Sequence, residues 1–202
     1  MNYLAIDTSG KNLTVIVCKD NEIYSFHDEQ CGVNHSVDLM PKIEQVANQA
    51  NFDFDKADFF ACVVGAGSFT GIRIGVATIK AMCFAYKKPC LSITSFDTLA
   101  YNKNGGKVLA VIDAKHNGFY VCGYQDQKVI FEPSYIMREQ LESIIGEYTP
   151  VAIAEVEGFD IQKVSVEQGL IRAVAIKKDQ VTFDLEQLSP LYVRKSQAEE
   201  GR

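Results

Sequence analysis

Residues 6–24 read IDTSGKNLTVIVCKDNEIY, and residues 112–130 read IDAKHNGFYVCGYQDQKVI. Laid over each other without a gap, at an offset of 106, Ile6 meets Ile112 and Asp7 meets Asp113. At the same offset Val15 meets Val121, Asp20 meets Asp126 and Ile23 meets Val129. In both copies an apolar run ends in Ile-Asp, a polar turn leads into a β-rich run, and a second polar turn precedes a third short run. Turn-forming clusters between β-branched stretches are hairpin signals. The agreement predicts a duplicated three-stranded meander with an acidic residue closing the first strand of each copy.

After the first meander, Ser36 is placed to cap a helix that carries Leu39, Ile43, Val46 and Ala50 on one stripe. Pro41 is expected to kink or delay its first turn. The continuous apolar run Phe59–Val64 suits a strand buried on both faces. A helix is expected from Gly71 to about Tyr86, with Ile72, Val76, Ile79 and Cys83 on one face and Ile74, Thr78, Met82 and Ala85 on another. Pro89 ends it, and a strand at 90–93 and a helix near 96–101 follow. The second half repeats the meander, then shows a helix near 137–145, a strand at 151–155 and a tail too short and weak for a full set of elements.

The linker-like stretch Asn102–Gly106 divides the chain into 1–103 and a smaller unit, 104–202. Two such units in tandem are the layout of the two-lobed actin-like fold (ASKHA, a duplicated RNase H-like α/β unit), here with a truncated second lobe. By analogy with that architecture, Asp7 and Asp113 face an interlobe cleft that takes nucleotide and a divalent metal.

Charge narrows the function. The 202 residues carry 20 Lys and Arg against 26 Asp and Glu, a net charge of −6, and no basic stripe. That excludes a protein that grips nucleic acid by itself. The opening MNYLAIDTSG lacks the basic and long apolar regions of a secretory signal, and no run reaches the roughly 20 apolar residues of a membrane span. A cytoplasmic protein without a membrane partner is expected. Six cysteines without a C-x-x-C pattern read as reduced, buried thiols, and three histidines show no metal-ligand spacing.

The densest motif is GAGSFTGIRIG, residues 65–75, between a buried strand and a helix. Its spacing is one residue too long for the dinucleotide fingerprint, it lacks Gly-Lys-Ser/Thr, and Ala66 stands where a nucleophile elbow needs glycine. It reads either as a tight strand-to-helix turn packed against the sheet, or as that turn with an added ligand or partner role. Asp7 and Asp113 read as turn-capping acids, with weak nucleotide contact as the alternative. His35 reads as a hydrogen-bonding residue at a helix start, not a base, and Ser68 as a nucleophile is disfavoured. Arg73 falls in a first helical turn, against the helix dipole, where an acidic partner or solvent could compensate. The stripes Leu39/Ile43/Val46 and Ile72/Val76/Ile79 leave open a core reading and an interface of paired helices.

LAIDTS (4–9), Asn34-His35-Ser36 with Leu39 and Pro41, the glycine loop, ITSFDTLA (93–100), VIDAKHNGFY (111–120) and SPLYVRKS (189–196) together carry a resemblance. Through them the chain resembles the TsaB (YeaZ) family of tRNA threonylcarbamoyladenosine-biosynthesis proteins. The resemblance implies a non-catalytic partner of the paralogue TsaD, which transfers threonylcarbamoyl to the adenosine beside the anticodon. It also implies a homodimer when alone, a TsaE-type ATPase in a larger complex, and only indirect contact with tRNA. The implied interface residues are His35, Leu39, Ile43, Val46, Ser68, Phe69, Thr70, Ile72, Arg73, Val76 and Ile79. Asp7, Gly67 and Asp113 are the vestigial nucleotide contacts, and no cofactor is otherwise expected. The residues themselves favour inactivity: Asp113 is followed by Ala-Lys-His-Asn, bulk where a phosphate loop needs glycine, and ITSFDTLA lacks the histidine pair that holds metal in the TsaD-like enzyme. The alternatives are a nucleotide-dependent kinase or hydrolase of the same fold, and a protease acting on TsaD.

Overall fold

The computed structural model describes residues 1–32 and 34–194. Lys195 and Ser196, which end the SPLYVRKS motif, lie outside the described residues. The first half folds as β1 (Tyr3–Asp7), β2 (Leu13–Lys19), β3 (Glu22–Asp28), α1 (His35–Gln49), β4 (Phe59–Val63), α2 (Phe69–Tyr86), β5 (Cys90–Ile93) and α3 (Ser95–Ala100). The second folds as β6 (Lys107–Asp113), β7 (Gly118–Gln125), β8 (Lys128–Met137), α4 (Arg138–Ile144), β9 (Thr149–Ala152), β10 (Gln162–Lys163) and α5 (Val166–Lys177). Sheet 1 runs β3-β2-β1-β4-β5 and sheet 2 runs β8-β7-β6-β9-β10, so strand for strand the topology is the same. In each, the meander is antiparallel and the last two strands run parallel to the first. This is the duplicated, two-lobed actin-like arrangement.

The duplication extends to single dihedral angles. Asp20 and Asn21 have φ of 52° and 68°, and their counterparts Asp126 and Gln127 have 48° and 67°. Both pairs bridge two-residue hairpins, whose consecutive positive φ values match the right-handed twist of the flanking strands. Asp7 is the last residue of β1 and Asp113 the last of β6.

Several readings differ from the structure, among them the strand expected at 151–155, which is found as β9 at Thr149–Ala152. Helix α1 begins at His35, with Asn34 in the capping position and no side-chain capping bond, so Ser36 lies inside the first turn and does not cap it. Pro41 neither breaks nor delays α1; the carbonyl it cannot serve belongs to Val37, a residue 70% exposed, where water can substitute. Helix α2 starts at Phe69, two residues early, because Ser68 caps it by accepting from the Gly71 N–H. The tail is also fuller than expected: it supplies β10 and the 12-residue α5. What the second lobe lacks is a counterpart of α2. Residues 153–161 between β9 and β10 form no helix, and Val156, Phe159 and Ile161 close that face of sheet 2 instead.

Apolar packing occurs in three layers. Helices α1 and α2 cover the outer face of sheet 1, and α4 with the 153–161 segment covers the outer face of sheet 2. Between the sheets lies a shared core into which both lobes insert their last helix reciprocally. Helix α3, which follows β5, packs on β6 and β7, whereas α5, which follows β10, packs on β5, β2 and β1. The crossing is close: a Cβ on Gly169 of α5 would sit 1.7 Å from the Thr98 carbonyl oxygen of α3. Among the described residues no helix is long and apolar enough to cross a membrane, and all six cysteines are buried and free.

Candidate functional site

The ends of β1 and β6 and the glycine loop face one another across an interlobe cleft of about 510 Å³. Asp7, Gly67 and Asp113 all line it, so the structure brings the three sequence-predicted contacts together.

Their chemistry is already committed. Asp7 is 2% exposed and its Oδ1 accepts from the Ser9 N–H and the Ser9 hydroxyl, both at 2.7 Å. The Ser95 hydroxyl in turn donates to Ser9 Oγ at 2.9 Å. Burial pushes the Asp7 carboxyl above its ordinary pKa, and the Ser9 and Asn12 hydrogen bonds and the nearby His35 only partly oppose this. Asp113 is half exposed and takes both the backbone N–H of Lys115 and its ammonium, at 2.7 and 2.6 Å. Partial burial raises its pKa, but the Lys115 contacts outweigh it and the net shift is downward.

The glycine loop is committed too. The Ser68 N–H, placed to cradle an anion, donates instead to the Ser9 carbonyl at 2.7 Å. A Cβ on Gly67 would lie 2.1 Å from that same oxygen, and one on Gly71 would lie 2.0 Å from the Thr8 carbonyl oxygen. These glycines let the loop lie flush on the end of β1. A nucleotide with its divalent metal does not fit this donor set: one carboxylate is sealed in, the other is paired with a lysine, and a loop amide is spent internally. Among the described residues no group of three or more His, Cys, Asp and Glu could hold a metal ion. Ser68 is a helix cap, its Oγ 3.3 Å from the Gly71 N–H. His35 is buried, with Nε2 2.9 Å from the Asn12 carbonyl oxygen.

Because Asp7 titrates higher folded than unfolded, its stabilising contribution is complete below the ordinary value near ~3.9 and is lost as pH rises through the folded value. Asn in its place can still accept from Ser9. Asp7→Asn should therefore melt at or above the wild-type temperature at pH 7, with the difference vanishing near pH ~4. Thermal unfolding across pH checks this; a marked loss at pH 7 would mean that the native state needs the charge.

The two helical stripes require a correction. Leu39, Ile43, Val46, Ile72, Val76 and Ile79 are at most 6% exposed and pack against sheet 1, so they are core residues of the single chain and not an open surface. The exposed apolar side chains lie on the opposite side of the same helices: Val37 at 70%, Met40 at 53% and Phe84 at 82%. Ala77 and Ala81 are also exposed. Ser68, Thr70 and Arg73 are exposed and Phe69 half-buried at the start of α2, which borders this surface. The second face expected on α2 is not this surface: Met82 is buried in the sheet 1 core and Ile74 packs against it, while Ala77, Ala81 and Phe84 were not singled out by periodicity.

The sequence matches the family described as "TsaD: tRNA N6-adenosine threonylcarbamoyltransferase" over residues 19–142. It is 27% identical over 165 residues to the Escherichia coli (strain K12) tRNA threonylcarbamoyladenosine biosynthesis protein TsaB, covering 75% of this chain and 71% of that protein. It is 25% identical over 224 residues to the Bacillus subtilis (strain 168) protein of the same description, covering 98% and 96%. The fold is similar to that of YeaZ from Pseudomonas aeruginosa, with a TM-score of 0.78, 19% identity, and coverage of 95% of this chain and 99% of that one.

Proposed function

Since the chain belongs to the TsaB (YeaZ) family of tRNA threonylcarbamoyladenosine biosynthesis proteins, paralogous to TsaD, we propose that it acts there as a non-catalytic partner of the transferase. One observation carries this reading: the donors an actin-like enzyme turns toward nucleotide and metal are here bonded within the chain. A site whose dipoles are satisfied internally has none left to stabilise a transition state. What the chain offers instead is an apolar surface on α1 and α2, centred on Val37, Met40, Ala77, Ala81 and Phe84. Such a surface on a monomer marks a docking site. A TsaD-type chain covers it in the working complex, and a second copy covers it when the protein is alone. By binding only the competent form of the transferase, the chain raises the competent fraction.

In a reconstituted reaction, leaving the chain out should abolish or strongly reduce adenosine modification, whereas Asp7→Asn combined with Asp113→Asn should leave it unchanged. Undiminished modification without the chain would overturn the proposal, and loss of modification in the double variant would favour a nucleotide-dependent enzyme. Phe84→Asp places a charge in the centre of the docking surface. Losing the burial of a phenylalanine forfeits ~1.5–3 kcal/mol, and desolvating the carboxylate adds to that. Binding to TsaD, measured by calorimetry, should fall at least ~30-fold with the melting temperature unchanged.

A further inference from the structure

Two five-stranded sheets have four edges, and among the described residues three of them are covered, broken or short. Thr182 exchanges both backbone hydrogen bonds with Cys90, at 2.8 and 3.0 Å, and so covers the start of β5. Strand β8 pairs with β7 through two shifts of register and carries Pro133, and β10 has only two residues. Bulges, proline and short strands are ordinary means of keeping an edge from recruiting another chain. Strand β3 has none of them. It pairs with β2 residue for residue from Glu22 to Asp28, without proline or shift.

The register says which groups this edge presents. Lys19 and Glu22 close a two-residue hairpin and so exchange hydrogen bonds, and in an antiparallel pair bonded and non-bonded positions alternate. Glu22, Tyr24, Phe26 and Asp28 thus bond to β2, whereas the N–H and C=O groups of Ile23, Ser25 and His27 point away from the sheet. Among the described residues nothing bonds to these outward groups. Two acids bracket them. Among the same residues Glu22 takes only the Tyr24 hydroxyl, at 3.0 Å, and Asp28 only the Gln30 N–H, at 2.8 Å. The neighbouring cations are engaged elsewhere: Lys163 lies 3.9 Å from Glu29, and Lys42 sits 4.4 Å over the Phe26 ring. The two carboxylates bound a seven-residue strand, so they stand about 20 Å apart along it.

We infer that β3 is a docking edge for an extended segment of a partner protein, about seven residues long, with apolar residues at alternate positions and a lysine or arginine at each end. Such a segment adds a sixth strand to sheet 1. Main-chain hydrogen bonds to Ile23, Ser25 and His27 hold it, its basic ends meet Glu22 and Asp28, and its apolar side chains extend the outer-face row of Tyr24 and Phe26. A second copy of the chain does not suit this edge. Two β3 strands related by a twofold axis run antiparallel, and in register about Ser25 every Glu22 would face an Asp28. Like charges placed opposite destabilise a strand pair, so the two acids that match a basic segment also keep the edge from pairing with itself. The inference is independent of the two-helix surface, whose exposed side chains lie on α1 and α2.

Amide hydrogen exchange in the full chain, resolved by NMR, tests this with a defined probe, the end-capped peptide Lys-Thr-Val-Thr-Val-Thr-Lys. In the dilute chain alone, the Ile23, Ser25 and His27 amides should exchange fast while those of Tyr24 and Phe26 are protected. Saturating peptide should slow the three outward amides about tenfold. The same peptide with glutamate at both ends should bind at least ~fivefold more weakly, and the difference should shrink in high salt. Ser25→Pro, which removes an outward backbone donor, should melt near the wild-type temperature and lose the peptide. Should that variant prove unfolded by circular dichroism, N-methylation of the peptide's central threonine removes a bond from the other side and should abolish binding with the protein untouched. No slowing by the basic-ended peptide, equal affinity for the two peptides, or outward amides already protected in the dilute chain would overturn the inference. Protection that grows with protein concentration in the absence of peptide would assign the edge to a second copy, and overturn it too.

Discussion

Gly169→Ala should be among the most damaging single-methyl additions in this chain. The added carbon would lie 1.7 Å from the Thr98 carbonyl oxygen, 2.7 Å from the carbonyl carbon and 2.7 Å from Asn102 Nδ2. Two of these are backbone atoms of α3 and cannot rotate away. The third belongs to a side chain that ties the helices together, donating to the Thr98 carbonyl at 2.8 Å and to the Ser165 carbonyl at 3.0 Å. Relief requires α5 to move off α3, and with it the core that both sheets share. Overpacking costs ~1–3 kcal/mol where side chains can yield, so a backbone clash belongs at or above ~3 kcal/mol. That is a large share of a net stability of about 5–15 kcal/mol. Urea unfolding should show the midpoint falling accordingly. Gly146→Ala, at a position with nothing within 4 Å of the new carbon, should stay within about 0.5 kcal/mol of wild type. Equal midpoints for Gly169→Ala and wild type would show that the helices do not cross as described.

Asp97→Ala should cost about as much, through charge instead of volume. Asp97 Oδ2 accepts from the Thr94 N–H at 2.9 Å, completing the cap of α3, and from Lys177 Nζ of α5 at 2.8 Å. Its Oδ1 accepts from the Tyr124 hydroxyl of β7 at 2.9 Å. One carboxylate therefore joins the last helix of each lobe to sheet 2. The aspartate side chain is 5% exposed and the lysine 16%, so removing the acid strands a buried ammonium and a buried phenol. Breaking a buried pair from one side costs ~3–5 kcal/mol. Lys177→Met should cost less, because Asp97 keeps two donors and the methionine fills the space. Combining Asp97→Ala with Lys177→Met should cost less than the sum of the two single losses, the sign of a coupled pair. A double-variant loss equal to that sum in urea unfolding would argue against the network.

Much of this architecture is legible in the residues alone. The offset of 106 between Asp7 and Asp113 anticipates the shared topology, down to matching left-handed turns at Asp20-Asn21 and Asp126-Gln127. Such turns are local, and local chemistry is what a single sequence displays. The burial of the Leu39 and Ile72 stripes was harder to read. Both helices have apolar residues on more than one side, and only the sheet beneath decides which side is core. Asp97 looks like an ordinary helix-start acid in ITSFDTLA; its partner Lys177 is 80 residues away and nothing nearby announces it. Likewise Gly169 reads as a weak helix former until its close approach to the Thr98 carbonyl of α3 explains it. Long-range pairing, not propensity, is what was missing.

The second lobe's lack of a long helix between β9 and β10 bears on how such chains assemble. Two lobes with equivalent outer faces would make each molecule bivalent, and a bivalent molecule whose contacts do not close into a ring strings into filaments. With residues 153–161 folded down over sheet 2, the two-helix outer face of the first lobe has no counterpart on the second among the described residues. Under the proposed two-helix docking, association through that single face would close at a pair and leave no second equivalent face for growth.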